Sequence, residues 1–106
     1  QSLGVEGMSR FDDIAQWADA RNIILGASPE KQFVKLMEEI GELAEGIAKN
    51  RLDAVYDGIG DAVVVLTILA EQFNVSIEHC IDLAWDEIKD RKGRLIDGTF
   101  VKESDL

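Results

Sequence analysis

The sequence predicts an all-α fold, a helical bundle of one short and three longer helices completed by homo-oligomerisation. Three observations carry that prediction. A single proline, Pro29, interrupts 106 residues. Apolar residues recur at helical spacing through most of the chain. Residues 62–70 are apolar on all sides apart from Thr67, and a helix of that kind is covered on every side. One short chain has little mass to spare for that cover, so a partner subunit is expected to supply it. A strand over 62–69 has the β-branched run Val63–Val65 in its favour, but the run has no strand partner elsewhere.

Each element has its own signals. Ser9 precedes a short helix over 11–21, with Asp12 three residues on as a capping-box pair and Phe11, Ile14, Trp17 and Ala18 on one face. Residues 22–27 read as a connector. Ser28-Pro29-Glu30 supplies an N-cap, a proline at the first helical position and an acid in the first turn, so the next helix runs over 29–49. Its apolar stripe is Phe33, Leu36, Met37, Ile40, Leu43, Ala44 and Ile47, and Asn50 ends it. Asp53 is placed as the cap of a helix over 53–73. Asn74-Val75-Ser76 turns the chain into a last helix over 77–92, with Ile77, Cys80, Ile81, Ala84, Trp85 and Ile88 inward and Gly93 as the stop. Asp97-Gly98 is the turn signal of a small hairpin within 95–101. Residues 1–7 have no periodicity and precede Met8; they read as an expression scar, which leaves 8–106 as a single domain.

Composition narrows the function classes. A mass of 11.7 kDa predicts a folded surface of roughly 6,000 Å². Asp and Glu number 21 against 11 Lys and Arg, a net charge of −10. So acidic a chain is a poor coat for a nucleic-acid backbone or an anionic membrane, so neither is expected as a partner. The apolar run at 62–70 is far shorter than the roughly 20 residues that span a bilayer. Cys80 is the one cysteine, so no intramolecular disulfide forms, and a reducing, cytoplasmic setting is expected.

The chemistry concentrates in LMEEIGELAE, residues 36–45. Residues three and four apart share a helix face. At about 100° per residue, Glu39 lies at the border of the apolar stripe and Glu42 about 60° further round on the same side. Glu38 and Glu45 fall on the opposite flank, where a solvated face accounts for them. Glu39 and Glu42 thus form a pair that a neighbouring helix can cover. Asp57 and Asp61, four apart, share a face with Val64 and Ile68 on the following helix. Carboxylates continuous with an apolar stripe are expensive to bury without compensation. A divalent cation supplies it, and hard oxygen ligands suit Mg²⁺, or Mn²⁺, rather than zinc.

Rival chemistries lack their residues. The one histidine, His79, does not follow a glutamate at the spacing of a di-iron bundle. His79 reads as a surface residue and Cys80 as core. No glycine-rich loop leads to a Lys-Ser or Lys-Thr pair. Lys89, Arg91, Lys92 and Arg94 put four of the eleven basic residues within six positions. Near a helix C-terminus such cations oppose the dipole favourably; beside a metal site they also suit a phosphate chain. Trp17 and Trp85 read mainly as core, with Trp17 the better candidate to stack on a base.

The segments EEIGELAEGI (38–47) and DGIGDAVVVLTILAEQF (57–73) resemble the MazG-like all-α nucleoside triphosphate pyrophosphohydrolases. The closing IKDRKGRLIDGTFVK (88–102) is similar to their compact phage- and mobile-element-type members. The family pattern is Glu-Glu-x-x-Glu followed by Glu-x-x-Asp; Glu38, Glu39, Glu42 and Asp61 match it, and Gly58 stands where the second Glu belongs. The fourth ligand is then Asp57, a water, or absent. The resemblance implies Mg²⁺-dependent hydrolysis of a nucleoside triphosphate to monophosphate and pyrophosphate by a homodimer or homotetramer. It implies metal held by Glu39, Glu42 and Asp61, with Glu38 as base or support to the ligands. Lys89, Arg91, Lys92 and Arg94 would hold the β- and γ-phosphates. The rival readings are a non-enzymatic acidic helical module that binds a partner through residues 63–69, and a related pyrophosphohydrolase acting on another phosphorylated nucleotide.

Overall fold

Serine and asparagine residues mark where the helices start and stop in the computed structural model, which describes residues 8–106. The segment read as an expression scar, 1–7, lies outside the described residues. Helix α1 is Arg10–Ala20, α2 Ile23–Gly26, α3 Pro29–Ala48, α4 Leu52–Gln72 and α5 Ile77–Ile88. A hairpin of β1 (Gly93–Ile96) and β2 (Thr99–Lys102) and a short 3₁₀ turn, Glu103–Asp105, follow. The fold is therefore all-α with one small antiparallel sheet.

The starts are capped as the sequence predicts. The Asp12 N–H donates to Ser9 Oγ at 3.3 Å while the Ser9 N–H donates to Asp12 Oδ2 at 3.0 Å, a reciprocal box. Ser28 and Ser76 accept from the N–H groups of Lys31 and His79. The ends use asparagine: Asn22, Asn50 and Asn74 have φ of 57°, 55° and 63°, a left-handed conformation asparagine tolerates well. Asp97 and Gly98 also have positive φ, which both central residues of a two-residue hairpin turn require.

Four expectations are corrected. The connector over 22–27 contains the one-turn helix α2. Helix α4 is capped by the backbone of Arg51, and Asp53 lies inside its first turn. Helix α5 stops at Ile88, four residues early; 89–92 are all charged and exposed, so no apolar face continues the helix. Gly93 is not its stop but the first strand residue, where a side chain would run into the Val101 carbonyl and the Phe100 ring.

A fifth correction concerns the core. Helix α4 is the central element; α3 packs along it, α1 and α2 lie against it, and α5 touches it lightly. The chain's own helices thus bury Ala62, Val65, Thr67, Ile68 and Ala70, so the all-round apolar segment needs no partner for most of its cover. The α3 face against α4 is Leu36, Glu39, Leu43 and Gly46, spaced three, four and three; Glu39 sits within that contact face rather than at its border. Phe33, Met37, Ile40 and Ile47 of the expected stripe stay exposed.

The C-terminal third is open. Neither α5 nor the hairpin buries a single residue, and Cys80 and Trp85, both expected inside, are exposed. The radius of gyration is 16.9 Å, against about 13 Å for a compact chain of this length. The surface is 7939 Å², well above the area that mass predicts. Among the described residues, no helix is long and apolar enough to cross a membrane.

Candidate active site between α3 and α4

Two glycines let the long helices approach. A Cβ on Gly46 would lie 3.1 Å from Ala54 Cβ, and one on Gly58 would lie 2.9 Å from Leu43 Cβ. Above this close crossing, the small residues Gly46, Ala54 and Gly58 leave a cavity of about 330 Å³. Its walls carry Glu42 and Glu45 from α3, Asp57 and Asp61 from α4, and Arg51 from the turn between them. Three of the four predicted metal ligands, Glu42, Asp57 and Asp61, therefore share one cavity. The fourth, Glu39, is one helical turn before Glu42 and lies against Asp61.

Glu39 is the only buried acid among the described residues, at 5% exposure. Its carboxylate is compensated on its own helix by Lys35, whose Nζ is 3.3 Å from Oε1. That hydrogen bond, with the charges of Glu39, Glu38 and Glu42, holds the Lys35 ammonium above its ordinary range against a smaller opposing desolvation. On the other side Asp61 is pushed up. Desolvation against the helix pair is the main cause, followed by the hydrogen bond and the like charge from Glu39, with Lys35 opposing. Two carboxyl groups in hydrogen-bonding contact need a proton or a cation between them. The donor set is all carboxylate oxygen, and that chemistry fits Mg²⁺ or Mn²⁺. Among the described residues no three such side chains are gathered closely enough to hold an ion; they stand around the cavity rather than closing on a point.

Gly58, where the family resemblance expects a glutamate, is pressed against α3. Position 58 faces the α3 backbone, with Leu43 Cα 3.1 Å from a notional Cβ. No side chain fits there. Asp57 and Asp61, one turn apart, both line the cavity instead.

Other predicted residues lie elsewhere. Glu38 is exposed on the flank of α3 beside Lys35 and does not line the cavity. Arg91 and Lys92 line a separate open cavity of about 540 Å³ with Glu87, Asp90 and Lys102, at the junction of α5 and the hairpin. Lys89 is engaged with Asp86 at 3.1 Å, and Arg94 is on β1. Within one chain, none of the four lines the carboxylate cavity. Trp17 lines an apolar hollow with Asp13, Ile14 and Val64, and the Arg21 guanidinium sits 4.6 Å above its ring.

Two cavity residues escaped the sequence reading. Helical spacing puts Glu45 on the opposite flank with Glu38, yet it shares the cavity with Glu42, three residues earlier. Arg51 carried no motif. The available signal was the turn itself: residues flanking a short helix–helix connection converge.

Comparison with known proteins identifies the family. A protein of Haemophilus phage HP1 (strain HP1c1), described as an uncharacterized 18.2 kDa protein in the rep-hol intergenic region, is 52% identical over 63 residues. That stretch covers 59% of this chain and 39% of the phage protein. No solved structure matches. The family model of the MazG nucleotide pyrophosphohydrolase domain matches residues 27–95, from the start of α3 to the middle of β1. The match spans more than half of the sequence, both helices of the carboxylate cavity included, and the chain belongs to the MazG nucleotide pyrophosphohydrolase domain family.

Proposed function

We propose that this chain hydrolyses (deoxy)nucleoside triphosphates to nucleoside monophosphate and pyrophosphate in a Mg²⁺-dependent reaction, as a step in controlling the nucleotide pool. The observation that carries the reading is the convergence of Glu42, Asp57 and Asp61 on one cavity, with Glu39 against Asp61. In this reading Glu39, Glu42, Asp57 and Asp61 hold the cation. When bound, Mg²⁺ would supply positive charge where negative charge builds on the phosphate oxygens and would acidify a bound water.

The chain's own groups do the rest. Water attacks the α-phosphorus, the α–β anhydride bond breaks, and pyrophosphate leaves. A cavity carboxylate accepts the proton of the attacking water; Glu38, expected as the base, lies outside the cavity beside Lys35 and is left the role of supporting Glu39. The indole of Trp17 offers a face for the base. Lys89, Arg91, Lys92 and Arg94 neutralise the β- and γ-phosphates, brought to the carboxylates by a second copy of the chain. That copy also covers the apolar face of α5, in a cytoplasmic homodimer or homotetramer.

The exposed α5 face favours one other reading, an acidic helical module that binds a different protein and has no turnover. Pyrophosphate release from a panel of canonical and modified (deoxy)nucleoside triphosphates separates the two. We expect release with Mg²⁺ and none with EDTA. Glu39→Ala should lower the rate by about 100-fold or more while the helical spectrum persists. A folded, Mg²⁺-saturated protein that releases pyrophosphate from no substrate would sink the hydrolase reading.

A further inference from the structure

We infer that Arg51 is the residue through which the chain itself grips the phosphate tail of the substrate. The inference rests on the pyrophosphohydrolase reading and adds a residue to it.

Of the eleven basic residues, most are engaged. Arg10, Lys35, Lys49, Lys89 and Lys102 each pair with an acid three or four positions away on their own segment, and Arg21 lies on Trp17. Arg51 is different. It lines the cavity with Glu42, Glu45, Asp57 and Asp61, yet among the described residues it forms no ion pair with any of them. A guanidinium surrounded by carboxylates usually locks onto one, often through two parallel bonds. Here Glu45 is taken by Lys49 at 2.6 Å.

The backbone of Arg51 is nonetheless held firmly. Its N–H donates to the Gly46 carbonyl at 2.9 Å, and its carbonyl accepts from Val55 N–H at 3.1 Å. It follows Asn50, whose positive φ makes the turn between the long helices. The anchor is rigid and the charged end is uncommitted, an arrangement that limits the ordering cost of binding.

Charge decides what it binds. A triphosphate entering a cavity walled by four carboxylates is repelled by all of them. Cations bound by those carboxylates offset part of the repulsion. Arg51 is the one basic residue on that wall, and its planar donors match phosphate oxygens. Lys89, Arg91, Lys92 and Arg94 belong to another part of the same chain. Arg51 is therefore placed to take the β- or γ-phosphate and to retain pyrophosphate after the α–β bond breaks.

The test uses inorganic tripolyphosphate, which has no base, titrated calorimetrically into the full chain with Mg²⁺. Arg51→Gln should weaken binding about tenfold or more, the scale of a lost hydrogen bond between charged groups. Arg51→Lys should recover part of the loss. Mn²⁺ titrated alone should bind Arg51→Gln at least as tightly as wild type, since a cation has left a carboxylate cavity. Equal tripolyphosphate affinity in wild type and Arg51→Gln overturns the inference, as does a wild type that binds none. If wild type binds tripolyphosphate through Arg51 but turns over no nucleotide, the hydrolase reading fails and the phosphate grip stands. Arg51 is exposed and its side chain makes no hydrogen bond among the described residues, so both variants should fold; matching thermal midpoints check it.

Discussion

The α3–α4 crossing and the α5 arm invert the usual distribution of residues. At the crossing a carboxylate is buried: Glu39 is more shielded than Phe33, Met37 or Ile40 on the same helix. On the arm a tryptophan is bare: Trp85 is 57% exposed, with Ile81 and Ile88 beside it on the same face. Both arrangements cost free energy in an isolated chain. The lesson is that each marks an interaction the single chain does not complete. The crossing holds more carboxylates than its few basic residues, Lys35, Lys49 and Arg51, can balance, and the arm lacks apolar cover. Under our reading a metal with its nucleotide answers the first and a second copy answers the second.

The sharpest way to separate the two regions is to disturb the packing of the crossing alone. Gly58→Glu puts a glutamate where the family resemblance expects one, but the new side chain meets Leu43. We expect it to destabilise the fold by about 3 kcal/mol, the scale of an overpacked core, without tightening Mg²⁺ binding. Urea denaturation and metal titration check both halves. A variant as stable as wild type that binds Mg²⁺ more tightly would show that position 58 is an open ligand site.

A second substitution acts only on the arm. Ile81→Asp with Trp85→Asp should convert an oligomer to monomer in sedimentation velocity, because buried aromatic anchors at interfaces contribute about 2 kcal/mol or more. The helical content of the chain should barely change, since neither side chain is buried within it. An unchanged sedimentation coefficient would mean that α5 is not where copies meet.

The smallest expected effect probes the charge at the crossing. Asp61 titrates above 3.8 in the folded chain. From 3.8 up to that raised value the folded state binds more protons than the unfolded one, so Asp61 makes stability fall as pH rises through this window. The penalty is fully present above it. In EDTA, Asp61→Asn should therefore be more stable than wild type at pH 7 and should lose that advantage at pH 3. Solvent around the exposed carboxylate keeps the difference small. A variant less stable than wild type at neutral pH would show that Asp61 is held by something other than a like-charged neighbour.

Much of this was legible in the chain. Ser28-Pro29 and Ser76 mark helix starts because their side chains satisfy backbone donors whatever the tertiary context, and Asp97-Gly98 marks the hairpin because few other pairs accept two positive φ values. The pairing of Glu39 and Glu42 with Asp57 and Asp61 follows from helical spacing on two adjacent helices. Spacing did not reveal which part of a broad apolar stripe the partner helix would choose. Gly46 and Gly58 decided that by drawing α3 and α4 together on the Leu36–Glu39–Leu43 side. The same choice brought Glu45 and Arg51 into the cavity.

By itself, then, the sequence determined the long helices, the serine caps, the hairpin turn and the all-α class, and it spaced Glu42, Asp57 and Asp61 so that they can share a cavity, because these depend on local geometry and periodicity. The tertiary structure alone decided that most of 62–70 is covered from within the chain, that Glu39 is buried beside Asp61, that position 58 is pressed against Leu43, and that Lys89, Arg91, Lys92 and Arg94 lie away from the carboxylate cavity of their own chain. The reason is physical. A helix wheel states which residues share a face, but the rotation and separation of two packed helices are set by the volumes at their crossing.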